Sequence, residues 1–278
     1  MMQDRKEEKN DEGRNYWGAA WNAIDSVQSF SPHTTVVEET KWRYLCNDLS
    51  GRSSGRALEV GCGTGHIGSL LADLGFDVVL LDYLQAALEC AKRSFTFLGG
   101  QERKTYILGN ALDLPLADGS FDVVISCGLL EHFEDADVVI KEMARVLQAG
   151  GLFYSDICPR KFSLVRMIEM LKRKSDGWYE AKMGKKEVRR MVEKAGLEII
   201  RVFSAGVLPP RSVPGTGRFK LFSRIEKFLV CGLKRFWCSL DGTPVADWLG
   251  FYYYVTARKP SRANHVKAAI SETEQEAR

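Results

Sequence analysis

The stretch Ala57-Leu58-Glu59-Val60-Gly61-Cys62-Gly63-Thr64-Gly65-His66 constrains this chain more than any other. A short apolar strand runs into glycines at every second position, and a helix-forming segment, 66–74, follows. Glycine lacks a Cβ, so the turn can take conformations closed to other residues and let a ligand approach the main chain. The helix that starts there presents its positive end to the same ligand. Such a unit opens an α/β sheet, in which ligands bind outside the carboxyl ends of the strands. Asp82 ends the next predicted strand, 21 residues after Gly61. A carboxylate at that place can accept hydrogen bonds from ribose hydroxyls. The pattern therefore points to a nucleoside-type ligand.

The chain downstream repeats the same alternation. A helix over 34–49 precedes strand 57–60. Helix 66–74, strand 77–81, helix 84–96, strand 105–108, strand 121–126, helix 135–147 and strand 151–156 follow. This spacing predicts a doubly wound sheet with helices on both faces. Val78-Val79-Leu80-Leu81 and Val123-Val124-Ile125 are unbroken apolar runs, as expected of strands buried on both sides. Further amphipathic helices are predicted over 162–172 and 185–195, then a sixth strand over 197–203 and a last strand over 251–260.

Two ligands compete for the glycine turn. A dinucleotide fingerprint, G-x-G-x-x-G, needs a glycine at position 66 for close helix–strand packing, and His66 stands there. The spacing present, E-x-G-x-G-x-G, resembles motif I of the class I S-adenosylmethionine-dependent methyltransferases. Further segments resemble that family in the same order. They are Asp82-Tyr83, Gly109-Asn110-Ala111-Leu112-Asp113-Leu114-Pro115, Asp118-Gly119-Ser120-Phe121-Asp122-Val123-Val124, Leu129-Leu130-Glu131-His132-Phe133 and Val146-Leu147-Gln148-Ala149-Gly150-Gly151. The family usually has Asp at the position of Asn110 and Pro at that of Ala149. Asn can still accept from the adenine amino group and donate to a ring nitrogen. The likeness is close over 35–156 and looser over 185–260.

The resemblance implies a Rossmann-like, seven-stranded, mostly parallel sheet with helices on both faces and a helical insertion before the last strand. It implies S-adenosylmethionine as cofactor and S-adenosylhomocysteine as product. Glu59, Gly61, Cys62, Gly63 and Gly65 would hold the amino-acid end. Asp82 would take the ribose, Tyr83 and Asn110 would border the adenosine, and Ala111 and Cys127 would also line the cofactor site. His132, just after the fourth strand, is the candidate base. Tyr16, Trp17 and Asp156 are candidates for the substrate pocket. Methyl transfer is an in-line displacement that depends on alignment, and it requires no metal. A cofactor-binding protein without transferase activity and a nicotinamide-dependent oxidoreductase stand as alternatives.

Composition narrows the partners. The net charge of +3 is too small to argue for nucleic acid, and no Asn/Asp-Pro-Pro-Tyr/Phe motif follows strand four. Seven cysteines without a C-x-x-C pair suggest reduced thiols and a cytoplasmic setting. Residues 1–14 are charged and read as a disordered leader, 15–260 as the enzyme domain and 261–278 as a polar tail. Within 15–30, Tyr16, Trp17, Trp21 and Phe30 suggest a helix that lies either over the ligand or in the core.

The segment 204–249 is too long for a simple hairpin and reads as an insertion. Its stretch 218–238 is a basic amphipathic helix with aromatic residues on its apolar side. It is read either as peripheral contact with an anionic membrane or as a packed helix with a solvated basic face. The expected acceptor is a small molecule or a lipid-like one.

Overall fold

Residues 15–19, 21–22, 36–98, 103–163, 180–207 and 234–261 are described in a computed structural model of the chain. One sheet is built from β1 (Gly55–Val60), β2 (Phe76–Asp82), β3 (Lys104–Leu108), β4 (Phe121–Cys127), β5 (Leu147–Ile157), β6 (Glu198–Ala205) and β7 (Tyr252–Arg258). The seven strands run in the order β3-β2-β1-β4-β5-β7-β6. The first five are parallel, and β7 enters antiparallel between β5 and β6. The order reverses between β1 and β4. Glu59 pairs with Leu80 on one side and Ile125 on the other, and Cys127 pairs with Asp156. This register brings the carboxyl ends of β1, β2, β4 and β5 to one edge, the place where such sheets bind ligands.

The strands are buried on both sides because their side chains alternate between two apolar layers. Leu58, Val60, Val79, Leu81 and Val124 face α4 (Ala136–Val146) and α5 (Lys185–Lys194), which contribute Val139, Ile140, Met143, Val188 and Val192. Ala57, Val78, Leu80, Val123 and Ile125 face the other layer. There α1 (Val36–Leu49), α2 (His66–Leu74) and α3 (Gln85–Leu98) contribute Leu45, Leu49, Ile67, Leu71, Leu88 and Phe95. The C-terminus of α4 is covered by Lys259, whose Nζ donates to the carbonyls of Ala144 and Leu147, both at 2.7 Å. A cation there also suits the negative end of the helix dipole.

The predicted elements fall within a few residues of those observed. The first strand starts two residues earlier than read, at Gly55, because Gly55 and Arg56 pair with Phe76 and Asp77. The fifth starts at Leu147, four residues earlier than its glycines suggested, and pairs with Phe121 before the register shifts. The helix read over 162–172 lies outside the described residues from 164 onward. The basic helix read over 218–238 does so up to 233, and its last residues fall in α6 (Lys234–Ser239). After α6, the short α7 (Pro244–Leu249) leads into β7. Among the described residues no helix is long and apolar enough to cross a membrane.

A buried carboxylate ties α1 to the antiparallel end of the sheet. Asp48 accepts from Tyr254 Oη and Thr256 Oγ1, both at 2.9 Å, and pairs with Arg201 Nε at 3.1 Å. Removing Asp48 leaves the buried Tyr254 and Thr256 hydroxyls without their acceptor, while Arg201 keeps access to water. Asp48→Ala is expected to lower the unfolding free energy by about 3 kcal/mol, read from urea denaturation. A loss below about 0.5 kcal/mol, the range of ordinary surface changes, would show that this node does not hold α1.

Candidate functional site

The glycine turn is strained in the way its sequence requires. Gly61, Gly63 and Gly65 have φ of 64°, 50° and 67°, the left-handed region that side chains rarely adopt. Space is short as well. A Cβ at Gly61 would lie 2.5 Å from Leu129 Cδ1, and one at Gly63 would lie 2.8 Å from the Trp21 indole. Gly65 caps α2, so His66 is that helix's first residue.

Two carboxylates hold the turn from below. Glu59, buried at the end of β1, accepts from the Gly68 amide in the first turn of α2 at 2.8 Å. Burial pushes its carboxyl up to about 8. The Gly68 bond opposes this, and the nearby Asp156 and Asp82 add to it. Asp82, at the end of β2, accepts from the Gly63 amide through Oδ2 and the Leu84 amide through Oδ1, both at 3.0 Å. Burial raises its pKa, and those backbone amides pull it back. Each carboxylate oxygen keeps a further lone pair for a ligand hydroxyl.

The loop after β4 closes the other side. Gly128 N–H donates to Asp156 Oδ1 at 3.1 Å. Leu129 then packs on Gly61, and a 3₁₀ turn over Leu130–His132 follows. Glu131 Oε1 accepts from the Cys158 amide at 3.0 Å, which joins this turn to the end of β5. Its Oε2 is buried without a hydrogen-bond partner among the described residues, and burial pushes the carboxyl up to about 7. Asp156, expected at an open crevice, is almost wholly buried. It also accepts from Tyr154 Oη at 2.9 Å and pairs with Lys41 Nζ at 3.0 Å. Its oxygens are thus engaged by the framework.

The remaining candidates gather around this frame. Tyr83 is 38% exposed just past Asp82. Asn110 is exposed, with Oδ1 accepting from the Leu112 amide at 3.0 Å, and Ala111 beside it is buried. Cys62 is buried and Cys127 partly so. Burial pushes both thiols well above their ordinary value, which argues against thiolate chemistry. Trp17 meets His132 edge-on, with ring centroids 5.2 Å apart, and Tyr16 meets Trp17 at the same distance.

Three residues here were absent from the sequence-derived candidates: Lys41, Leu129 and Trp21. Trp21 carried a usable signal, since it stands four residues after Trp17 and shares its helical face. Lys41 carried none, because the partner of a buried carboxylate is settled by packing.

Comparison with known proteins follows this geometry. Residues 58–155 match the family model described as a methyltransferase domain. A probable S-adenosylmethionine-dependent methyltransferase of Mycolicibacterium smegmatis is 29% identical over 187 residues, covering 64% of this chain and 68% of the relative. A demethylmenaquinone methyltransferase of Staphylococcus aureus is 29% identical over 214 residues, covering 67% and 85%. In fold, a methyltransferase of Thermotoga maritima superimposes with a TM-score of 0.55 at 20% identity, over 81% of this chain and 90% of that one. The geranyl diphosphate C-methyltransferase of Streptomyces coelicolor, solved with S-adenosyl-L-homocysteine, does so with 0.55 at 17%, over 80% and 77%. The dinucleotide reading of the glycine turn falls with these matches. The motif order, the sheet topology and the matched domain together place the chain among the class I S-adenosylmethionine-dependent methyltransferases.

Proposed function

We propose that this methyltransferase acts on a small, largely apolar acceptor of quinone-like, phenolic or other lipid-like chemistry. One observation carries the reading: partly buried Trp17 packs edge-on against His132 and Tyr16 packs edge-on against Trp17, so the candidate base is bordered by an aromatic pair. Apolar pockets with a few convergent polar groups suit such ligands. The names of the Staphylococcus aureus relative and the Streptomyces coelicolor neighbour support the same acceptor class.

The left-handed glycine turn, beside the buried acids Glu59 and Asp82, fits the cofactor. Its bound form supplies a methyl group activated by a sulfonium sulfur. Glu59 and the turn Gly61, Cys62, Gly63 and Gly65 hold its amino-acid end. Asp82 offers its remaining lone pairs to the ribose, while Tyr83, Asn110, Ala111 and Cys127 border the adenosine. His132 takes the acceptor's proton. A positioned base contributes about 10²–10⁴-fold to such a transfer.

Screening quinols, phenols and prenylated phenols for methyl transfer tests the acceptor class. Failure with all of them, alongside transfer to a polar amine, would overturn it. With a working acceptor, His132→Asn is expected to lower kcat at least about 100-fold while cofactor affinity holds. Equal kcat would remove His132 as the base. Asp82→Ala is expected to weaken S-adenosylmethionine binding at least about tenfold, because charge-assisted bonds and the Gly63 anchor go together. Calorimetry reads this, and unchanged affinity would contradict the ribose assignment.

Glu59 also makes a pH prediction. Its folded pKa, about 8, lies above the unfolded carboxylate value, so the native chain holds a proton that the unfolded chain has lost. Stability from this group is full at low pH and falls as pH rises from about 4.5 through about 8. Glu59→Gln, which keeps an acceptor for Gly68, is expected to flatten that fall in denaturation midpoints taken from pH 5 to 8. A slope identical to the parent's would show that Glu59 is already ionised.

A further inference from the structure

Trp17 and Trp21 lie before the matched domain, and no motif gives them a role. Residues 15–19 and 21–22 are helical, so side chains four apart leave the same face. The two indoles are stacked, with centroids 5.9 Å apart and planes at 20°. At one end Trp21 lies against Gly63, close enough that a Cβ there would meet its ring at 2.8 Å. At the other end Trp17 meets His132 edge-on. One aromatic surface thus runs from the donor-side glycine turn to the acceptor-side base.

Both indoles remain partly exposed, and Trp21 reaches the glycine turn at Gly63 with the outer edge of its six-membered ring. The face of an indole attracts cations, more strongly than that of phenylalanine. The two forms of the cofactor differ in this respect. The methyl donor carries a positive sulfonium and the spent form a neutral thioether, while both carry the same ammonium.

We propose that the Trp17–Trp21 pair is a charge-reading cover on the cofactor cleft. It favours the sulfonium form over the neutral product and so assists product release. This rests on the cofactor lying along the glycine turn, as set out under Proposed function.

Calorimetric titration of the full chain with S-adenosylmethionine and S-adenosylhomocysteine tests it, after thermal melts confirm that the variants fold. Trp21→Ala is expected to weaken the sulfonium form about tenfold and the product at most about twofold. Trp21→Phe should recover part of the loss. Trp17→Ala, which leaves the Gly63 contact in place, should act in the same direction and serves if Trp21→Ala does not fold. Equal weakening of both ligands, or no weakening of either, would overturn the proposal. A parent chain that binds neither ligand would instead remove the cofactor site on which it rests.

Discussion

The carboxylate of Asp82 receives the Gly63 and Leu84 amides at once, and both loops beside the cleft hang from it. One oxygen fixes the glycine turn after β1, and the other fixes the entry to α3. A charged acceptor bonded to backbone amides is stronger than a neutral one. Here it substitutes for the ladder that ends where the strands stop. In the proposed reading the same group also takes the ribose, so one side chain would both hold the turn and read the ligand.

Around it the site concentrates buried acid. Glu59, Asp82, Glu131 and Asp156 all lie at or near the carboxyl ends of the parallel strands, and each is nearly inaccessible to water. Asp156 is balanced by Lys41 from α1 and by Tyr154 within its own strand. Glu59 and Glu131 instead move toward the neutral form, because burial disfavours their charge.

Lys41 and the indole pair show how α1 and the helical residues before it are joined to the methyltransferase sheet. Lys41 holds Asp156, which holds Gly128, and the loop that starts there sets Leu129 on Gly61 and His132 against Trp17. The glycine turn and the loop after β4 are thereby connected through packed contacts. Asp48 performs the corresponding task at the antiparallel end, tying the same helix to β6 and β7.

Much of this was legible in the residues alone. Strand and helix positions followed from apolar periodicity, and the turn at 61–65 followed from glycines that nothing else could replace there. The positions of the acids at 59 and 82, at the ends of β1 and β2, were readable because they depend on spacing along the chain. The burial of Asp156 was not legible, because its partner Lys41 comes from α1, which no local pattern links to it. Trp21 was seen as an aromatic residue, but its contact with Gly63 needed the tertiary structure. Local conformation is set by nearby residues and by hydrophobic period, which a sequence records directly. Which buried charge finds which partner, and which ring covers which turn, is decided only when distant elements pack.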